Sequence, residues 1–173
     1  MRSLTKGIIL GVGGTVLLAI LIWLGVVFSG AYNVAATDKH FDVVRWTFHT
    51  TMHRSVATRA DEISLPERIS EDLIAEGARH YDSTCIHCHG APGQEPSEWS
   101  RGMRPEPPQL VEAAGHWSPE EIFWIVQNGF KMTGMPAFGS HHDASEIAAI
   151  AAFVSQLPDM PVEDYRALTA ETR

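Results

Sequence analysis

The chain has 173 residues and a formal net charge of −8. Apart from Arg2 and Lys6 at its start, the portion from residue 31 onward carries 11 basic and 21 acidic residues, a net of −10. So acidic a surface excludes nucleic-acid binding, which needs a basic face, and suits either plain solubility or a partner with a basic docking patch.

Gly7 to Ser29 is an unbroken run without a charge, rich in Ile, Leu and Val. As a helix it would extend roughly 34 Å, enough to cross the hydrocarbon core of a bilayer. A secretory signal has a shorter apolar core, so an uncleaved anchor is expected, with residues 1–6 before it. Ser29-Gly30-Ala31 nevertheless has the small-x-small form that signal peptidase accepts. Arg2 and Lys6 put the N-terminus in the cytoplasm by the positive-inside rule, and the remainder on the outer side of the membrane.

Residues 30–66 are expected to form a connecting helix and a linker. Asp38 is a suitable N-cap for a helix reaching about Arg59, on which Phe41, Val44, Phe48, Met52 and Val56 make one apolar stripe. That stripe needs the rest of the chain or another subunit to pack against. His49 and His53, four residues apart, have the spacing for a shared metal, but no third ligand is evident, and partly buried or interfacial histidines are the plainer reading. Trp46 lies on another face, facing lipid headgroups or a partner. Leu65-Pro66-Glu67 reads as a linker, and Ser70 as the cap of the next helix, with Glu71 and Asp72 at its positive end.

That helix leads into Cys85-Ile86-His87-Cys88-His89, the C-x-x-C-H signature of covalent haem attachment. Two thiols three residues apart add to the two vinyl groups of one haem, and the histidine that follows is held beneath the iron. A redox dithiol would need a thioredoxin-like βαβ setting, and a four-cysteine zinc site would need a second pair. There is one such motif, so one covalent haem c is expected. Covalent attachment independently points to the bacterial periplasm, where such proteins are assembled, and so to a single-pass protein of the inner membrane.

Residues 90 to 112 carry Pro92, Pro96, Pro105, Pro107 and Pro108 and predict an irregular stretch that needs a surface to wrap. Ser118-Pro119-Glu120-Glu121 is a capping box with proline at the first helical position, and Gly129 suits the helix end. Lys131 to Gly139 reads as a loop. Asp143 or Ser145 opens a last helix with Ile147, Ile150, Ala151, Val154 and Leu157 on its buried face, and Pro158 ends it. Residues 161–173 are a tail, either one short turn or loose chain.

This order of elements over about residues 67 to 158 resembles the class I cytochrome c family. The resemblance implies a class I cytochrome c domain (67–160) wrapped around one covalent haem; the N-terminal transmembrane helix is not part of the family pattern, and with it the expected architecture is all-α. The resemblance also implies that Gly77 and Tyr81 cross the last helix near Ala151 to Val154. It implies too that Pro108, in Pro107-Pro108-Gln109-Leu110, offers its carbonyl to the proximal His89, and that Gly134-Met135-Pro136 is the sixth-ligand loop. His89 and Met135 would then be the metal ligands, and Cys85 and Cys88 the haem attachments. Met103, Met132, Met160, His116, His141 and His142 are the other downstream candidates, with Met132 expected in the wall. Arg101 and Arg104, like the indoles of Trp99 and Trp117, are candidates for the haem propionates.

The expected function is single-electron transfer between respiratory or photosynthetic partners, as a tethered carrier or a subunit of a membrane oxidoreductase or oxidase complex, with membrane lipid as the other contact. No group for bond-making catalysis is evident. The alternative is a haem-based ligand sensor or peroxidase-like enzyme, which would need a labile sixth ligand and a distal base such as His141.

Overall fold

The computed structural model describes residues 2–66 and 69–170. Glu67 of the expected linker, the last three residues of the tail, Met1 and the side chain of Arg2 lie outside the described residues. Among those described there is no strand, only an isolated bridge between Ala91 and Gln94. The chain divides into two units, Met1–Asp38 and Lys39–Arg173.

The first unit holds α1 (Arg2–Ser29), whose stretch Ser3–Ser29 is long and apolar enough to cross a membrane. Gly30, in a left-handed conformation, ends it. Ala35 to Asp38 then close a turn in which Asn33 donates its side-chain amide to the Asp38 carboxylate. Asp38 is therefore occupied and does not cap the next helix, contrary to expectation. That helix, α2 (Asp42–Ala60), starts four residues later after Phe41, with no side-chain cap.

The second unit is built on α2, α3 (Glu71–His80), α4 (Ile86–His89), α5 (Leu110–Ala113), α6 (Pro119–Asn128), α7 (Ala144–Val154) and α8 (Val162–Thr169). Local chemistry sets the helix starts. Ser70 accepts from the Leu73 amide, Ser118 and Glu121 close the expected capping box, and Asp143 rather than Ser145 caps α7, accepting from the amides of Ser145 and Glu146. The core lies where α3, α6 and α7 meet, around Tyr81, Ile122, Phe123, Ile147, Ile150, Phe153 and Leu157. α3 and α7 touch backbone to backbone: a Cβ placed on Gly77 would lie 2.0 Å from the Ala149 carbonyl oxygen and 2.8 Å from the Phe153 Cβ. The crossing thus sits at Ala149 to Phe153, slightly N-terminal of the expected point, and Tyr81 lies against Phe153 with ring centroids 5.3 Å apart.

Two segments are more tightly held than the sequence suggested. Ile63 and Leu65 pack against the core, so the stretch before Pro66 lies along the domain. The tail forms α8, whose buried Tyr165 donates from its hydroxyl to the Asp82 carboxylate at 2.7 Å. An eight-residue helix is marginal alone, and burial of Tyr165 and Thr169 with Leu168 against the core supplies its order.

The C-terminal half of α2 packs on α6 through Met52, His53, Val56 and Ala60. His53 stacks flat on Trp117 (4.3 Å, 8° between planes), with His49 at 4.4 Å on its other neighbour side. Burial foremost, then the charge of His49, hold the His53 pKa below its ordinary value; Glu121 opposes this and His116 adds to it.

Two outcomes are expected. Gly77→Ala should cost about 3 kcal/mol or more, because neither backbone at the crossing can retreat, read as a lowered urea midpoint of the holoprotein. Because the folded pKa of His53 is depressed, the stability its neutral form gives is present above the unfolded value of about 6.5 and is lost as pH falls below it. Hydrogen-exchange protection of α2 residues 52–60, corrected for intrinsic rates, should therefore weaken on acidification, and His53→Gln should flatten that dependence.

Candidate haem site

The motif sits at the end of a continuous helical path. α3 ends at His80, Tyr81–Cys85 forms one wide π-helical turn, and α4 carries Ile86–His89. Residues three apart on a helix share a face, so Cys85 and Cys88 are presented side by side while His87 points to solvent. Gly90, with φ +67°, ends the path, and its carbonyl accepts from the Tyr81 hydroxyl at 2.6 Å. Burial chiefly, with Cys88 beside it, pushes the Cys85 thiol up to about 12, and burial raises Cys88 as well. These are not the low-pKa thiols of a disulfide oxidoreductase.

The imidazole of His89 is half-buried, and its Nδ1 lies 2.8 Å from the Pro108 carbonyl oxygen. A carbonyl only accepts, so the proton resides on Nδ1 and the Nε2 lone pair is free to bind a metal. Burial lowers the His89 pKa and the Pro108 carbonyl works against that shift, leaving a neutral imidazole.

The loop between α6 and α7 is clamped from beneath. Gly129, at φ +60°, ends α6 under Met135 and Pro136: a Cβ there would come within 2.5 Å of the Pro136 carbonyl and 2.7 Å of the Met135 oxygen. Phe130 donates its amide to the Met135 carbonyl at 3.3 Å, and the Met135 amide donates to the Thr133 hydroxyl at 3.1 Å. Met135 itself is partly buried against the core. Met132, expected in the wall, is instead 81% exposed at φ 60°, because the tight turn that seats Met135 throws the side chain three residues earlier outward. Met103 had drawn attention only as one of several sulfurs; its Sδ lies where a Cβ on Gly134 would approach to 2.8 Å, directly beside the ligand loop. Two prolines and a cis Arg104–Pro105 peptide separate it from Pro108, and nothing in the sequence marks that contact.

Other candidates lie apart or are engaged elsewhere. Arg101 pairs with Glu95 at 3.0 Å, and Arg104 donates to the carbonyls of Arg101 and Met103. Trp99 is exposed, and Trp117 is taken up by His53. His141 is exposed; His142 packs edge-on to His80 and Phe138. Among the described residues no group of three or more His, Cys, Asp and Glu is arranged to hold a metal ion, at His49 and His53 or elsewhere. The donor set fits haem c: paired thiols on one helix face, an imidazole whose Nδ1 faces the Pro108 carbonyl, and a thioether in the clamped loop between α6 and α7.

Residues 72–154 match the family described as cytochrome C oxidase, cbb3-type, subunit III. No curated protein and no solved structure matches the chain.

The clamp can be tested through the ligand loop. If Met135 is the sixth ligand, Gly129→Ala should displace it and weaken a thioether-to-iron charge-transfer band of the oxidised holoprotein. Gly134→Ala meets only the flexible end of Met103 and should leave that band in place.

Proposed function

Residues 72–154 are a c-type cytochrome domain, a domain of the electron-transferring kind, and from that premise we propose a membrane-anchored, periplasmic carrier of single electrons. One haem c is joined to Cys85 and Cys88, with His89 and Met135 as its axial ligands. When bound, the haem supplies the one-electron couple; the chain's own residues hold it and tune it. Pro108 keeps the proton on Nδ1 of His89 and raises the basicity of the imidazole. Thr133 and Gly129 hold the Met135 backbone, and a thioether ligand favours the ferrous state and so a higher potential. The acidic surface suits a basic partner patch. The observation that carries this reading is the 2.8 Å contact between His89 Nδ1 and the Pro108 carbonyl, directly after the paired cysteines.

α1 is the anchor in this proposal, and confinement to the membrane raises the effective concentration at a membrane partner. The description of the matched family supports a membrane oxidase as that partner, with this chain as its subunit or tethered donor. Arg101 and Arg104 could reach a propionate only by giving up their present partners. A ligand sensor or peroxidase would draw on His141 as a distal base, and that side chain is exposed to solvent.

Carbon monoxide added to the anaerobically reduced, detergent-solubilised protein tests the ligation. The absorption spectrum should stay unchanged in the unmutated protein, and Met135→Ala should bind the gas. Rapid, complete binding by the unmutated protein would overturn the carrier in favour of sensing or catalysis.

A further inference from the structure

The two halves of α2 face different surroundings. Beyond Met52 the helix is amphipathic: His53, Val56 and Ala60 turn to α6 and Trp117, while Arg54, Thr58 and Arg59 face outward. Its first two turns and the residue before them are different. Phe41 is 71% exposed, Val43 and Trp46 67%, and Phe48 54%. At about 100° per residue, Val43 and Trp46 fall on one flank of the docked stripe and Phe41, Val44 and Phe48 on the other. Apolar side chains thus lie on both flanks, while Asp42, Arg45 and His49 continue the line of the docked stripe; the charged pair Asp42 with Arg45, 3.1 Å apart, neutralises itself. Large apolar and aromatic side chains exposed on two flanks of one helix call for a cover, in protein or in lipid.

Three observations favour lipid. A flat protein partner covers one flank of a helix, whereas the uncovered residues lie on two. The segment follows the apolar helix α1 after residues 30–41 only, and aromatic side chains dominate it, as they do at membrane interfaces. Charge is also divided along the chain. Residues 31–60 carry Lys39, Arg45, Arg54 and Arg59 against Asp38 and Asp42, while the chain beyond residue 60 carries 7 basic and 19 acidic residues. The acidic domain is repelled by an anionic bilayer, and α2 is the part that can approach one.

We propose that the N-terminal half of α2 lies in the headgroup layer of a membrane, with Phe41, Trp46 and Phe48 as its anchors, so that α2 docks the haem domain against the bilayer surface. The proposal rests on the membrane-anchored reading above. It makes α2 a second, interfacial attachment that stops the domain from swinging freely on its tether.

The test uses full-length holoprotein in vesicles containing anionic lipid. The native thiols are consumed by the haem, so Val16→Cys, Val43→Cys, Phe48→Cys and Thr58→Cys can each carry one environment-sensitive fluorophore. Labels at 43 and 48 should be quenched several-fold more by nitroxide lipids labelled near the headgroup than by iodide in the water. The label at 58 should show the reverse, and the label at 16 should respond to nitroxide deep in the acyl chains. If 43 and 48 behave like 58 while 16 stays lipid-quenched, the interfacial docking is wrong and the anchor stands. If 16 is also open to iodide, the membrane reading itself fails. Protection of 43 and 48 from both quenchers would overturn lipid in favour of a protein cover, either a second copy or a subunit.

Discussion

Everything at the haem site hangs from a contact between two backbones. α3 and α7 can approach as they do because Gly77 has no Cβ to meet the Ala149 carbonyl. From that crossing α3 runs on through Tyr81 and the wide turn to the cysteines, so the crossing sets where the thiols and His89 are delivered. Tyr81 fixes the far end: its ring packs on Phe153 of α7 while its hydroxyl holds the Gly90 carbonyl just past the motif. The phenol is deeply buried, and that burial raises its pKa, so it stays a neutral donor.

The two proposed axial ligands are supported by different devices, each suited to its chemistry. An imidazole can rotate and can carry its proton on either nitrogen, so it needs an oriented acceptor, and the Pro108 carbonyl provides one. A thioether has no proton to fix but has a flexible chain, so what must be controlled is its backbone. The left-handed Gly129 and the Thr133 hydroxyl do that. Both devices come from irregular segments, and these are held by the helices on either side of them.

Much of this was readable from the sequence because it depends on neighbours along the chain. Caps at Ser70, Ser118 and Asp143, the glycine after α6, and the thiol spacing are local patterns with local causes. What escaped were decisions made by partners that no such pattern marks. Asp38 looks like a cap until Asn33 takes its carboxylate. Met132 and Met135 are both methionines in one loop, and the fit of the loop over Gly129 separates an exposed side chain from a partly buried one. The tail reads as either a short turn or loose chain because Tyr165 gains its order from Asp82, far away in sequence. The stripe on α2 was visible, but not that α6 would cover only its second half.

The link between Tyr165 and Asp82 also has a consequence in time. A chain made from its N-terminus presents Cys85 and Cys88 long before α8 exists, since 83 residues separate the two ends of that bond. Asp82 lies in the same turn as Cys85, so the element that pins the turn is synthesised well after the thiols it helps to place. Until it arrives the thiols stand in an unfinished fold, less shielded than the half-buried Cys85 of the completed domain. The order of synthesis thus leaves the proposed attachment residues accessible early and closes the fold behind them.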